Sequence, residues 1–338
     1  MKNTTSYIEK LFEDGLLHNV AIRVGIRDKI LFETYRSDKD SVNEHTLFDM
    51  ASVTKILCTT TLSLIALDRG LLSLSDPMDR FFDVGENEIT VKNLLTHTMG
   101  IGHKPLNLPN VNYDNVAEYI LNIPPDASVG QTVLYSCPGF IVLGKILEKV
   151  FGDRLDRLFK RLVADKLGME STSFLPLRRE NTVLTSLSET DIGRVNDYNC
   201  RYLGGVAGNA GVFSNVHDLT LFTDMLIKNG NGLFSEEILT QAAQNHTEGM
   251  SESRGLGFVY SDEKYERTGE LFPKGAIGHG GWTGQSVFAD RESGLYAIIL
   301  TDATLSTERK FGSANTETVH EIIKNLHNLL KIDLDFKL

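Results

Sequence analysis

The chain reads Phe48-Asp49-Met50-Ala51-Ser52-Val53-Thr54-Lys55 at the start of an apolar run that ends at Gly70. The apolar residues recur at helical spacing and Gly70 is a typical helix stop, so the run predicts a helix. Ser52 and Lys55 would then share one face of the helix, with Ser52 in its first turn. Backbone N–H groups there lack intrahelical partners and would stabilise an oxyanion. A Ser-x-x-Lys pair is one way to make a serine nucleophilic.

This motif is weak evidence by itself, because the chain contains a second copy, Ser261-Asp262-Glu263-Lys264, in a polar stretch. A helix-capping role for Ser52 and a solvent-exposed Lys55 would explain the same spacing. Other segments must therefore decide between a catalytic and a purely structural interpretation.

The bulk composition excludes several classes of function. The chain has 338 residues, of which 41% are hydrophobic and 23% charged, as is ordinary for a globular protein. Its net charge of −11 argues against a nucleic-acid partner. The first residues lack a secretory signal and no apolar run is long enough for a membrane span, so we expect a cytoplasmic protein. Three scattered cysteines fit reduced thiols in that compartment.

Hydrophobic periodicity outlines the fold. Alternation of period two predicts hairpins over residues 20–35 and 287–301, and helical periodicity predicts terminal helices over residues 4–17 and 317–330. Further helical patterns lie at residues 89–100, 115–121, 140–150, 153–166 and 216–228. These elements favour an α/β (α+β) fold with an antiparallel sheet flanked by the N- and C-terminal helices, and a mostly helical second lobe. We expect one unit over residues 1–338, with residues 1–50 and 200–338 in the α/β lobe and residues 51–199 in the helical lobe.

Two further features have simple structural explanations. His97 could be a ligand or a base, but a histidine that closes a helix is more often a structural cap. Neither it nor the nearby His103 has a third ligand at a metal-binding spacing, so we predict no metal site and no cofactor. The glycine-rich segment of residues 202–214 lacks the Gly-Lys-Ser or Gly-Lys-Thr of a phosphate loop, and it predicts tight backbone packing beside a cleft.

Five motifs, taken in order, resemble the serine β-lactamase and penicillin-binding protein superfamily, and within it the class C β-lactamase-like group that includes esterases and D-amino-acid peptidases. They are Ser52-Val53-Thr54-Lys55, Leu94-Leu95-Thr96-His97-Thr98-Met99-Gly100, Tyr135-Ser136-Cys137, the Gly-Gly-Val-Ala-Gly run from Gly204, and His279-Gly280-Gly281. The resemblance covers roughly residues 20–302. It implies a β-lactamase-like fold with the active site between the two lobes.

The resemblance also implies catalytic roles. Ser52 would be the acylated nucleophile, and Lys55 and Tyr135 would form the base that takes its proton, with either of the two as the acceptor. A tyrosine titrates near pH ~10, so a neighbouring ammonium must stabilise its phenolate. His279 stands where the family has lysine at the start of a strand lining the cleft, and it would keep a hydrogen-bonding group beside Tyr135.

The implied oxyanion hole consists of the backbone N–H groups of Ser52 and Trp282, which are fixed donors placed where negative charge develops. The Trp282 side chain is either an aromatic wall for an acyl group or a packing residue between strands. Cys137, Gly280, Gly281 and Trp282 would line the substrate-binding site.

Departures from the family pattern bear on the substrate. Cys137 stands where the family's Tyr-x-Asn has an amide, and a thiol cannot replace an amide's paired donor and acceptor. Gly280 replaces the threonine of Lys-Thr-Gly, and His279 replaces its lysine. We therefore expect weakened recognition of the carboxylate found on β-lactams and peptidoglycan stems.

Together these residues predict a serine hydrolase that acts through a Ser52 acyl-enzyme on an ester, a small amide or a D-amino-acid peptide. Its partner would be a small-molecule or peptide substrate. One alternative is a true class C β-lactamase or D,D-peptidase of the penicillin-binding type. Another, motivated by Cys137 and Gly280, is a non-catalytic relative that binds a ligand in the cleft.

Overall fold

Nine strands form two sheets in the computed structural model, which describes residues 1–38, 41–85, 88–176, 181–185, 187–265 and 268–335. The strands are β1 Asn19–Ile26, β2 Lys29–Ser37, β3 Phe48–Asp49, β4 Ser173–Phe174, β5 Val212–Ser214, β6 Val259–Tyr260, β7 Ile277–Gly281, β8 Gln285–Ala289 and β9 Leu295–Thr301. The larger sheet has the order β2-β1-β9-β8-β7-β6, and the smaller one has the order β3-β5-β4. All of these neighbouring pairs are antiparallel.

Helices lie between and beside these strands. They are α1 Lys2–Glu13, α2 Thr61–Asp68, α3 Val91–Leu95, α4 Val116–Leu121, α5 Cys137–Phe151, α6 Leu155–Phe159, α7 Asp165–Leu167, α8 Tyr198–Tyr202, α9 Val216–Ile227, α10 Glu236–Ala242, α11 Ala303–Phe311 and α12 Thr316–Asp335. A 3₁₀ turn, Ala51–Val53, and a π-helical segment, Lys55–Thr60, lead into α2. The predicted helix behind Ser52 is therefore present, with non-α geometry in its first turns.

Both predicted hairpins are present and lie side by side in the large sheet. β1 pairs with β2, β8 pairs with β9, and β9 also pairs with β1. Because side chains alternate along a strand, Val20, Ile22 and Val24 of β1 pack in one core with apolar residues of α1 and α12, whereas Ala21 faces the other core. The prediction of an antiparallel sheet flanked by the two terminal helices is confirmed.

Two helices are shorter than their sequence patterns predict. α1 ends at Glu13 and not at residue 17, because Gly15 takes a left-handed conformation with φ of 64°. The predicted helix over residues 89–100 is reduced to α3, because His97 has φ of 58° and Gly100 has φ of 81°. An α-helix cannot continue through left-handed residues, so both predictions of length are corrected.

The smaller sheet was not predicted, because strands of two or three residues are too short to show an alternating pattern. Its strand β3 directly precedes the 3₁₀ turn that carries Ser52 and pairs with β5, where Phe48 lies opposite Ser214. The sheet thus ties the Ser52 segment to the residues that follow position 200. The residue limits given above for the two lobes stay a prediction.

One helical stretch among the described residues, Ala51–Asp68, is long and apolar enough to cross a membrane. Inside the protein 83% of it is buried, and its α2 portion packs against α5 and α10. It therefore serves here as a core helix, and its position holds Lys55 deep in the fold.

Candidate active site

Ser52 lies in a turn that its neighbours hold in an uncommon conformation. Ala51, a residue with a side chain, has φ of 45°, which is sparsely populated outside glycine. The side chain of Asp49 accepts the Ala51 N–H at 2.8 Å and the Asn196 N–H at 2.6 Å. Burial raises the pKa of the Asp49 carboxyl to about 6, although these two hydrogen bonds oppose the shift. The buried carboxyl fixes the backbone that presents Ser52 to the cleft.

Two side chains converge on the Ser52 hydroxyl. The Nζ of Lys55 donates a hydrogen bond to Ser52 Oγ at 3.0 Å, and the hydroxyl of Tyr135 donates to the same oxygen at 2.7 Å. The three predicted groups are thus gathered into one contact set. The arrangement provides a nucleophile with two neighbouring groups that can carry protons.

Lys55 is fully buried and anchored by further contacts. Its Nζ also donates to the backbone carbonyl of Asn209 at 3.0 Å and contacts Cys137 Sγ at 3.5 Å. Burial by itself would lower the pKa of Lys55, but the neighbouring Cys137 and Tyr135 outweigh it and raise that pKa above its usual value. The lysine is therefore an ammonium ion at neutral pH in the resting site.

Burial likewise raises the pKa of the Tyr135 phenol, while the Lys55 ammonium acts in the opposite direction. The Lys55 Nζ lies 5.1 Å from the centre of the Tyr135 ring. Tyr135 is thus protonated at rest, consistent with its donating to Ser52. A proton must therefore leave this pair before either member can accept one from Ser52.

The N-terminus of α5 and His97 hold Tyr135 in place. Ser136 caps the helix by accepting the Gly139 N–H at 3.0 Å, and its own N–H donates to His97 Nδ1 at 3.0 Å. The His97 ring stacks on Tyr135 with centroids 4.6 Å apart. Burial, followed by the nearby cations Arg254 and Lys55, lowers the pKa of His97 well below its usual value. The structural interpretation of His97 fits this geometry, although the residue supports the Tyr135 segment and does not cap α3.

His279 lies in the middle of β7, which corrects its predicted place at the start of a strand. The His279 ring is 6.1 Å from the Tyr135 ring, and its Nδ1 donates to the carbonyl of Gly280 at 2.6 Å. A carbonyl oxygen only accepts, so Nδ1 carries the proton and Nε2 is left as the acceptor of the neutral ring. The residue is buried at the edge of the Ser52 site.

β7 also brings the other candidate residues to the cleft. An added methyl group at Gly281 would lie 2.8 Å from the Met50 carbonyl oxygen, so the lack of a side chain allows β7 to approach the Ser52 turn. Trp282 follows immediately, and its side chain is 49% exposed, which favours an aromatic wall over a packing residue between strands. Ser52 and Trp282 both border the same cleft. Their role as an oxyanion hole stays a prediction.

All of the predicted site residues except the buried Lys55 line one cleft, whose volume is about 1450 Å³. Its wall includes Ser52, Tyr135, Cys137, His279, Gly280, Gly281 and Trp282. The second Ser-x-x-Lys pair forms no such arrangement. Ser261 is buried and shares a hydrogen bond with Thr268, whereas Lys264 donates to the Met250 carbonyl at 2.6 Å.

A family model described as Beta-lactamase matches residues 5–317. The chain belongs to the β-lactamase family. Members of this family are serine hydrolases, so the prediction of a serine hydrolase of β-lactamase-like type is confirmed. A Salmonella typhimurium relative that bears the name "Putative D-alanyl-D-alanine carboxypeptidase" is 25% identical over 300 residues, which span 76% of this chain and 69% of the relative.

Solved structures share the fold of this β-lactamase-family protein. EstCE1, described as a hydrolase with promiscuous acyltransferase activity, has a TM-score of 0.77 and 18% identity, with 98% of each chain covered. A β-lactamase from Mycobacterium bovis has a TM-score of 0.67 and 19% identity, with 96% of this chain and 98% of the other covered. At these identities the comparisons show a β-lactamase-like fold.

Sequence reasoning missed two groups of this β-lactamase-family site, the Asn209 carbonyl and the Arg254 guanidinium. The Asn209 carbonyl binds Lys55, and the segment around it packs tightly as predicted, since a methyl group at Gly208 would lie 2.0 Å from the Phe140 carbonyl oxygen. Arg254 is buried in the cleft wall beside Tyr135, with 5.7 Å from its Cζ to the ring centre. No spacing pattern marks either residue. Within the described ranges, no group of metal-ligating side chains has a geometry that could hold an ion.

Proposed function

We propose that Ser52 is the nucleophile of this serine hydrolase and forms an acyl-enzyme with an ester, a small amide or a D-amino-acid peptide. The observation that carries the proposal is the convergence of Lys55 Nζ and the Tyr135 hydroxyl on Ser52 Oγ, at 3.0 and 2.7 Å. A serine hydroxyl attacks a carbonyl at neutral pH only when a nearby group accepts its proton. The contacts of Ser52 supply two groups that can do so once the pair has lost a proton.

The reaction follows from these contacts in two halves. After the Lys55–Tyr135 pair has lost a proton to solvent, Ser52 Oγ attacks the substrate carbonyl and its proton passes to the pair. The backbone N–H groups of Ser52 and Trp282 stabilise the oxyanion. The pair then protonates the leaving group, which departs and leaves an ester on Ser52. In the second half, water attacks the ester and gives a proton to the same pair, which passes it to Ser52 Oγ as the acyl–Oγ bond breaks and the acid leaves.

A second candidate function is a D,D-peptidase or β-lactamase, which would bind a substrate carboxylate. It is favoured by Arg254, whose guanidinium is buried in the cleft wall and pairs with Glu252, while its Nε has no hydrogen-bond partner among the described residues. A guanidinium is suited to binding a carboxylate. The curated relative named as a D-alanyl-D-alanine carboxypeptidase supports the same candidate.

Turnover of three substrate panels would test these proposals: p-nitrophenyl esters, D-amino-acid amides and peptides, and β-lactams such as nitrocefin. We expect ester or amide hydrolysis by the wild type and its loss in Ser52→Ala. Ser261→Ala serves as the matched control, because it removes the serine of the second Ser-x-x-Lys pair, whose two side chains make separate contacts. Activity that survives in Ser52→Ala would reject Ser52 as the nucleophile, and preferred hydrolysis of nitrocefin or D-alanyl-D-alanine peptides would favour the second candidate.

A further inference from the structure

The three cysteines of the chain occupy very different surroundings. Cys58 and Cys200 are completely shielded from solvent, and burial raises the pKa of both thiols well above the usual value. Cys137 is 5% exposed and forms part of the wall of the Ser52 cleft. A molecule inside the cleft can therefore reach one of the three sulfur atoms.

Cationic and hydrogen-bonding groups surround the Cys137 sulfur. Lys55 Nζ lies 3.5 Å from Sγ, and His103 is an exposed residue of the same cleft wall. Burial and the negative charge of Asp197 act to raise the pKa of Cys137, but Lys55 and His103 outweigh them and hold it below its usual value. Since the thiolate is the reactive form of cysteine, this cluster activates the sulfur.

The cleft beside Cys137 has room for a ligand and a polar nitrogen without a hydrogen-bond partner among the described residues. Its volume of about 1450 Å³ is far larger than a single aromatic ring requires. Arg254 lines the same cleft, is 5% exposed, and has an Nε without a hydrogen-bond partner among the described residues. The wall near Cys137 therefore accommodates a polar organic molecule.

We propose that Cys137 is a covalent modification site, at which small disulfides that enter the cleft form a mixed disulfide and thereby block Ser52. In the exchange, the Cys137 thiolate attacks one sulfur of the reagent, a new S–S bond forms, the old one breaks, and the other half leaves as a thiolate. An added thiol reverses the reaction. Lys55 contacts both Cys137 and Ser52, so a group attached to Cys137 lies beside the nucleophile and changes the contacts of its base.

The first experiment treats the native protein at pH 7 with a dithiobis-nitrobenzoate disulfide and locates the label by peptide mass spectrometry. We expect one label per chain, on Cys137, at least tenfold faster than on Cys58 or Cys200, which should react only after denaturation. These two cysteines are controls within the same molecule. Equal or faster labelling of either one, or no native labelling of Cys137, would overturn the proposal.

The second experiment tests the activating cluster. Lys55→Met should slow the labelling of Cys137 at least tenfold, whereas Lys264→Met removes a lysine of the same cleft that binds the Met250 carbonyl and should leave the rate within twofold. His103→Ala, at an exposed position, should also slow labelling and gives the test independently if Lys55→Met fails to fold. Unchanged labelling in folded Lys55→Met or in His103→Ala would contradict activation by that residue.

The proposed block of Ser52 rests on the proposed function. The third experiment therefore distinguishes failure of the block from failure of that function. The protein with modified Cys137 should react with a fluorophosphonate at least tenfold more slowly at Ser52, and a thiol should restore the rate. An undiminished rate in the modified protein would overturn the blocking effect. If Ser52 of the unmodified protein does not react with the fluorophosphonate, the proposed function fails. The labelling of Cys137 can still be tested in Ser52→Ala, because it does not need the Ser52 hydroxyl.

Discussion

The hydroxyl of Tyr135 lies 2.7 Å from Ser52 Oγ, although the two residues are 83 positions apart in the sequence. The capped start of α5 delivers the phenol, and the strained turn after β3 delivers the serine. Lys55 completes the contact from the next turn of the same helix. A serine that only capped a helix would not need two convergent donors, so this relationship supports a nucleophile.

Tyr135→Phe removes the phenol oxygen and keeps the ring that stacks on His97. We expect kcat/KM for a p-nitrophenyl ester to fall by about 10²–10⁴-fold, the usual contribution of a positioned acid or base. The free energy of unfolding should change by only about 1 kcal/mol, the contribution of one hydrogen bond. Tyr198→Phe is the matched control, because Tyr198 lines the same cleft but its hydroxyl accepts from Asn107 at 3.0 Å. Equal losses in the two variants would contradict a specific role for Tyr135.

Gly281→Ala tests the close approach of β7 to the Ser52 turn. The new methyl group would meet the Met50 carbonyl oxygen at 2.8 Å, so we expect a loss of about 1–3 kcal/mol in the free energy of unfolding, as for other overpacked positions. In Gly280→Ala the nearest atoms would be 3.4 Å away or more, and the change should stay within about 0.5 kcal/mol. Chemical denaturation measures both, and similar stabilities of the two variants would count against the packing argument.

His327 should make the protein sensitive to acid. Burial lowers the pKa of this imidazole to about 3, whereas in the unfolded chain it titrates near ~6.5. As the pH falls, the unfolded state binds the proton first, so the stability contributed by neutral His327 is complete above pH ~6.5 and is lost progressively towards pH ~3.

In His327→Gln, a side-chain amide can still bond to Ser286, which lies 3.0 Å from His327 Nε2 in the wild type. We expect the loss of unfolding free energy between pH 7 and pH 4.5 to be roughly 2–3 kcal/mol smaller than in the wild type. Denaturant titrations at the two pH values measure it, with the exposed His45→Gln as a control. An identical acid sensitivity of wild type and His327→Gln would show that His327 is not held neutral by burial.

Local patterns predicted what depends on local structure. Alternation of period two identified both hairpins, and the spacing of Ser52 and Lys55 placed the two side chains in contact. The helix predicted over residues 89–100 was longer than α3, because a left-handed φ at His97 leaves no mark in hydrophobic periodicity. The smaller sheet was missed because its strands are too short for any pattern.

Long-range contacts needed more than patterns. No local spacing marks Tyr135, because the contact between the start of α5 and the Ser52 turn depends on how the helices pack. Only the resemblance to a family pointed to this residue. The Asn209 carbonyl was invisible in the sequence, since every residue carries a backbone carbonyl and only the fold decides which one faces Lys55. Likewise, only the fold decides that Arg254 and His103 lie in the cleft wall.

The most direct test of the central claim is the mass of the protein after reaction with a fluorophosphonate, followed by mapping of the modified residue. The account predicts a single adduct on Ser52, absent in Ser52→Ala and retained in Ser261→Ala, that forms at least tenfold more slowly in Lys55→Met. No adduct on folded wild-type protein, or an adduct on any residue other than Ser52, would contradict it.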